Sequence, residues 1–266
     1  MRIAIWQTGE SLREARGLQR LRVRAGEAAD ANVRVLVVPE CFASGYHIPD
    51  MTQAAQPSAG DWHDEVAAVA SEFDLAIVYG FPEAVGDAVD NGAVYNTVHW
   101  VDPGGDVRAA YRKTHLYGDL DRSMFEPGDT ASAIFDVDGL NVGLLICYDV
   151  EFPETVRALA LAGADLVVVP TALMEPADVV ARSVVSTRAL ENQIFLAYAN
   201  RVGQEQKLTY VGLSCVVGPD GADLARAGSG DELVVADLDP AMLAATRADY
   251  NQLRDRRPEL YRALTS

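Results

Sequence analysis

The feature that most constrains this chain is the recurrence of short, branched apolar runs separated by stretches with helical spacing. Residues 2–7, 33–39, 75–81, 142–147, 165–170 and 194–200 each read as a buried strand. They lack the polar alternation of a half-exposed sheet, so both faces of each strand need cover. Helices fit the intervals at 13–30, 62–73, 153–162 (opening on a first-turn proline) and 178–192. Residues 94–113 fold back about Asp102-Pro103-Gly104-Gly105, and 211–217 with Leu224 about Gly218-Pro219-Asp220-Gly221, both in the manner of hairpins. Strand–helix alternation mixed with hairpins predicts a sheet-rich α/β sandwich rather than a purely parallel doubly wound sheet.

At 266 residues and 49% apolar content the chain can bury a large core. No repeat, charge block or low-complexity linker interrupts it, so 1–266 reads as one domain, its polar tail from about Thr246 reaching across a neighbouring surface. A formal charge of −17 argues against nonspecific partners among nucleic acids or anionic membranes, which reward a basic surface. The apolar runs fall short of the roughly 20 residues of a membrane helix. The start of the chain has no secretory core segment, which points to the cytoplasm. Cys41, Cys147 and Cys215 are widely spaced without a CxxC pair, so neither a disulfide framework nor a metal site is indicated.

Three polar groups stand where apolar strands run out. Cys147 ends Gly143-Leu144-Leu145-Ile146 and leads into Pro153-Glu154, a strand-to-helix junction where unpaired backbone N–H groups can meet developing negative charge. A cysteine on an apolar strand is equally what packing would place there. Glu40 closes Val35-Leu36-Val37-Val38-Pro39, and partial desolvation there would raise its pKa towards that of a useful base; a solvent-facing loop carboxylate is the plainer reading. Lys113 closes Ala109-Ala110-Tyr111-Arg112. Lysine otherwise stands only at Lys207 in a chain rich in arginine, and a compact ammonium suits a single oxyanion better than an arginine fork does. Strand ends of an α/β fold gather into one cleft.

The ordered set Val37-Val38-Pro39-Glu40 with Gly45-Tyr46, Tyr111-Arg112-Lys113-Thr114-His115-Leu116, Phe125-Glu126-Pro127-Gly128, and Gly143 to Asp149 with Phe152-Pro153-Glu154 resembles the Glu-Lys-Cys pattern of the nitrilase-like carbon–nitrogen hydrolases. A weaker trailing match is Arg188-Ala189 with Glu191-Asn192 and Asn200. The resemblance implies a four-layer αββα sandwich, a homodimer or higher homo-oligomer, and catalysis without cofactor or metal. It implies Cys147 as nucleophile, Glu40 as proton-transfer base, and Lys113 with the Tyr148 backbone N–H as oxyanion donors. A fourth acidic residue follows the lysine in such proteins; here Asp121 holds the place, with Asp119 as the alternative. His115 next to the lysine suits a hydrogen-bonding wall residue, although a Cys–His dyad would make it the base. Tyr46, Thr171 and Ala172 are candidate substrate contacts.

Cys147-Tyr148-Asp149 is amidase-like, where nitrilases place Trp-Glu after the nucleophile. The run from Tyr111 to Phe125 is similar to that of bacterial ω-amino amide amidases, such as 5-aminopentanamidases, and of a related stereoselective amidase. An aliphatic or ω-amino carboxamide is therefore the expected substrate, with Glu175 or Asp178 as the acidic group for a distal amine. Deaminated peptide amides and N-carbamoyl compounds compete with it, as does a catalytically inactive binding or scaffold protein with the same pocket.

Overall fold

The computed structural model of the chain describes residues 1–86 and 92–264. The first half runs β1 (Arg2–Gln7), α1 (Gly17–Asp30), β2 (Val35–Val37), α2 (Met51–Ala54), α3 (Asp61–Phe73), β3 (Ala76–Val85), β4 (Ala93–Val101), β5 (Val107–Arg112) and α4 (Gly118–Arg122). The second runs β6 (Phe135–Val137), β7 (Leu140–Leu144), α5 (Pro153–Leu161), β8 (Leu166–Pro170), α6 (Val185–Asn192), β9 (Phe195–Ala199), β10 (Val202–Glu205), β11 (Leu208–Val211), β12 (Cys215–Val217), β13 (Asp223–Arg226), β14 (Glu232–Asp237) and α7 (Pro240–Asp249).

Among the described residues these strands form two six-stranded sheets, ordered β14-β1-β2-β3-β4-β5 and β13-β12-β9-β8-β7-β6, and a separate β10-β11 pair. Each large sheet has a parallel centre, β1 with β2 and β3, and β7 with β8 and β9, flanked by antiparallel strands. The two-residue period of the strands sorts side chains between layers. Ile3, Ile5, Val35, Val37 and Val78 face the core between the sheets, whereas Ala4, Trp6, Leu36, Ile77 and Tyr79 face the helices on the other side. Helices α1 and α3 meet that outer face with Leu21, Ala25 and Ala28, and with Trp62, Val66 and Val69, at the spacing of one apolar stripe. Helices α5 and α6 cover the second sheet, whose β8 is buried on both faces. The result is the expected four-layer αββα sandwich, with β2, β5, β7 and β8 all ending towards the same rim.

Several elements depart from the sequence expectations. The first helix starts at Gly17 rather than residue 13, because Leu12 and Arg13 donate their N–H groups to Phe42 O and Ala43 O. The helix expected from 178 opens as a π-turn, Val180–Val184, into which Arg226 Nη1 reaches to Ala181 O, taking that carbonyl as a side-chain acceptor. The expected strand 211–217 is broken by positive φ at Gly212 and Leu213, so Val211 closes the β10-β11 hairpin and only Cys215–Val217 joins the large sheet. The tail begins later than Thr246, which is buried in α7. Arg247 is tied to Asp165 Oδ1 (2.7 Å) and Ala164 O (3.0 Å). Thr265 and Ser266 lie outside the described residues. No helix among the described residues is long and apolar enough to cross a membrane.

Candidate active site

Glu40 reaches the rim because β2 leaves its sheet abruptly. Val38 N still pairs with Val78 O, then Glu40 N crosses to Thr171 O of the second sheet (3.3 Å) and Cys41 turns with φ +49. This crossing needs Gly80 beneath it, since a Cβ there would lie 2.6 Å from Cys41 N. The Glu40 side chain is fully enclosed, and its two oxygens are treated differently. Oε1 accepts from Lys113 Nζ (2.8 Å) and Asn96 Nδ2 (2.7 Å), while Oε2 is buried with no hydrogen-bond partner among the described residues. Burial pushes the Glu40 carboxyl up, opposed by Lys113 and reinforced by the charge of Asp121.

Lys113 follows β5, its backbone clamped between Asn96 O (2.8 Å) and Gly128 N (2.8 Å). Its ammonium, wholly shielded from solvent, also donates to Asp121 Oδ2 (2.6 Å). Burial would pull this group down, but Glu40, Cys147 and Asp121 outweigh it and hold the ammonium charged well above its ordinary range. Of the two candidates for the fourth acidic role, Asp121 in the short α4 is buried and reaches Lys113, whereas Asp119 in the same turn is exposed. Asp121 also accepts from Tyr46 OH (2.5 Å) and Tyr117 N (2.9 Å).

The strand expected to carry Cys147 stops earlier. Leu145 N still reaches Val168 O, but Ile146 N is taken by Asp149 Oδ2 (3.1 Å), and a 3₁₀ turn begins at Cys147 with φ +46. The left-handed conformation breaks the sheet register and turns the thiol into the space between the two sheets. Tyr148 N–H lies in the first turn, where no intrahelical carbonyl can meet it. Burial pushes the thiol well up, helped by the Glu40 charge; Lys113, the Thr171 hydroxyl and the Ala172 amide work against that rise. The sulfur thus shares its electrostatics with Glu40, Lys113, Thr171 and Ala172, as the strand-end reading anticipates.

Of the other expected residues, Tyr46 is buried against Lys113, whose Nζ lies 5.9 Å from the ring centre. His115 bonds through Nδ1 to Asp149 Oδ1 (2.8 Å) and stacks on Phe152 at 4.0 Å, so it forms a wall rather than a partner for the thiol. The structure does not bring Glu175 or Asp178 to the triad. Glu175 is exposed with its N–H on Thr209 O (2.9 Å), and Asp178 pairs with Arg182 (2.9 Å). A cavity of about 430 Å³ opens beside Tyr148, lined also by His115, Leu116, Phe125, Arg122 and Glu126. Arg188 and Glu191 of the trailing match form an ion pair (2.9 Å), and Arg188 also caps Val150 O and Glu151 O behind the Cys147 turn.

Two site residues escaped the sequence reading. Asn96 completes the Glu40 cradle, and Asp149 is a buried hub that accepts from Tyr111 OH, Thr114 Oγ1, His115 N and Ile146 N, joining the Lys113 loop to the Cys147 turn. The signal for Asn96 was its place at the start of a strand paired with Lys113; that for Asp149 was its position as the third residue of the turn it caps.

This geometry accords with what comparison with known proteins gives. The sequence model of the carbon–nitrogen hydrolase family matches residues 2–248. A protein of Pseudomonas protegens, named only as a hydrolase in the pqqF 5' region, is 45% identical over 264 residues, covering 98% of this chain and 90% of its own. An (R)-stereoselective amidase of a Pseudomonas species is 40% identical over 225 residues, covering 84% of this chain and 79% of its own. The amidase of Nesterenkonia sp. AN1 superposes with a TM-score of 0.87 at 35% identity, covering 99% of both chains. Further structures of that amidase show acrylamide added at its active-site cysteine and a variant in complex with butyramide. The chain belongs to the carbon–nitrogen hydrolase family. Within it, the chain is an enzyme of the amidase class.

Proposed function

We propose that the chain hydrolyses a small carboxamide, aliphatic or ω-amino, to the carboxylic acid and ammonia through a thioester on Cys147. The observation that carries this reading is the division of labour on Glu40. Its Oε1 is saturated by Lys113 and Asn96, so Oε2 is the one oxygen left to take and return protons. In the resting site the proton stays on sulfur, because burial disfavours a free thiolate. Proton transfer to Oε2 is therefore coupled to attack. As sulfur bonds to the amide carbon, the carbonyl oxygen takes up the electron pair and meets Lys113 Nζ and the Tyr148 N–H. Collapse re-forms the carbonyl and breaks the C–N bond, with the Glu40 proton passing to nitrogen so that ammonia leaves. Water then adds to the thioester, giving its proton to Glu40. The second collapse breaks the C–S bond, releases the acid, and returns that proton to sulfur.

The cavity beside Tyr148 carries Arg122 and Glu126 but is not lined by Glu40, Lys113 or Cys147, so it argues for no particular tail on the amide. Support comes from the relatives: the Nesterenkonia amidase binds butyramide, and the Pseudomonas relative is an amidase by name. The test is ammonia release from 5-aminopentanamide, β-alaninamide, butyramide, a deaminated glutathione-like amide and an aliphatic nitrile. We expect turnover of amides and not of the nitrile. Cys147→Ala should lower it by about 10⁴-fold or more, the scale of removing a covalent nucleophile. Folded protein that releases no ammonia from any amide would sink this reading.

A further inference from the structure

Glu205 ends β10, on a hairpin that belongs to neither large sheet, yet its carboxylate accepts from four groups at the rim. Oε2 receives Tyr46 N (3.0 Å), His47 N (2.7 Å) and Tyr210 OH (2.6 Å). Oε1 receives Arg201 Nη2 (2.7 Å), from a side chain 1% exposed whose Nε and Nη1 have no hydrogen-bond partner among the described residues. Two consecutive backbone N–H groups on one carboxylate fix the conformation of the loop that holds Tyr46. The approach is close enough that a Cβ on Gly45, at φ +86, would lie 3.0 Å from Glu205 Oε1. From Tyr46 the chain of contacts continues inward, its hydroxyl on Asp121 Oδ1 (2.5 Å) and Asp121 Oδ2 on Lys113 Nζ (2.6 Å).

The second strand of the hairpin holds the other side of the site. Thr209 O receives Glu175 N (2.9 Å), and Val211 N donates to Leu173 O (3.1 Å), pinning the loop that carries Thr171 and Ala172 beside Cys147. One hairpin therefore ties together a loop from each sheet, the Glu205 carboxylate holding the Tyr46 loop and the β11 backbone the loop after Thr171, at the place where the two sheets contribute opposite halves of the triad. A surface ion pair would be exposed and singly bonded; this one is mostly enclosed and bonded four ways.

We propose that Glu205 is a positioning residue for amide hydrolysis: by fixing Tyr46 it sets Asp121, and through Asp121 the place of the Lys113 ammonium. This rests on the amidase reading above. The measurement is a double-mutant cycle between Glu205→Gln and Tyr46→Phe, read as kcat and KM for butyramide and as the rate of Cys147 alkylation by iodoacetamide. We expect Glu205→Gln to lower kcat by about 10- to 100-fold with KM changed by less than about threefold, the pattern of a misplaced catalytic group. We also expect Glu205→Gln to alter the alkylation rate. In the Tyr46→Phe background the further loss should vanish, because the path from Glu205 to Asp121 is already cut. Losses that multiply in the double variant, or wild-type kcat and alkylation in Glu205→Gln, overturn the proposal. Should Glu205→Gln not fold, Tyr210→Phe removes one donor while keeping the Arg201 pair; it should give a smaller kcat loss, also absent beside Tyr46→Phe, and an unchanged kcat there overturns the proposal equally. Alkylation needs no substrate, so wild-type protein that turns over no amide while Glu205→Gln still alters alkylation would sink the amidase reading alone.

Discussion

Strand β4 serves two buried polar clusters from opposite faces. Asn96 points into the space between the sheets and meets Glu40; His99, three residues on, points towards α3 and meets His63, Tyr79 and Phe81. The first cluster keeps its ammonium charged. Two carboxylates surround one ammonium, every oxygen but Glu40 Oε2 is bonded, and the members come from β4, β5, α4 and the loop after β2. The second sheds its charge at His99: burial holds His99 down to about 4, its Nε2 bonds with Ser58 (3.2 Å), and His99 Nδ1, His63 Nδ1 and Tyr79 OH have no partner among the described residues. Burial alone therefore does not mark a catalytic group. The distinguishing signs are charge retained at the cost of desolvation and a single atom deliberately left unsatisfied.

Cutting the charged cluster should have the largest effect. Lys113→Ala strands Glu40 and Asp121 together without a counter-ion, at a cost of about 3–5 kcal/mol in unfolding free energy measured by urea titration at pH 7. Amide turnover should also fall by at least ~10²-fold, through loss of an oxyanion donor. A stable, active Lys113→Ala would erase the contrast between the clusters. Glu40→Gln separates stability from chemistry. Its amide oxygen can still accept from Lys113 and Asn96, so thermal melting should move little while kcat falls by ~10²–10⁴-fold with the lost base. A melting temperature that falls as far as for Lys113→Ala would mean the carboxylate charge is structural.

How much of this contrast was legible in the sequence follows from distance along the chain. Glu40, Lys113 and Cys147 each close an apolar run, and strand ends can be read locally; so can the layers, because Val35-Leu36-Val37 alternates between two cores. Asp121 was legible only through the family resemblance, which sets an acidic residue after the lysine and left Asp119 as the alternative. What was not legible depends on pairing between distant segments. Asn96 matters because β4 lies beside the Glu40 turn, and Glu205 because a hairpin closes over Tyr46 some 160 positions earlier. Glu175 is of the same kind: its backbone is drawn to Thr209 of the distant hairpin and its side chain is exposed, which its sequence neighbours do not announce. Likewise Cys147 read as a strand residue because its apolar neighbours continue the pattern; only the competition of Asp149 for Ile146 N ends the strand early.

The smallest effect tests the neutral cluster. His99 is held down from 6.5 to about 4 by burial, with His63 adding to the fall and Glu83 opposing it. Its folded pKa therefore lies below its unfolded one, so on acidification the unfolded chain takes the proton first. The stability that His99 contributes is complete above about pH 6.5 and is lost progressively as pH falls through that value towards about 4. The full span is worth roughly 3 kcal/mol. Replacing His99 with leucine should leave kcat within about twofold, since this face of β4 does not touch the triad, and should flatten the fall in unfolding free energy between pH 6.5 and 4 by up to one proton. Urea titrations of both proteins across that range provide the measurement. Parallel slopes would place the acid sensitivity elsewhere, though not at Glu40, whose raised carboxyl takes up its proton first in the folded chain and so gains stability on acidification.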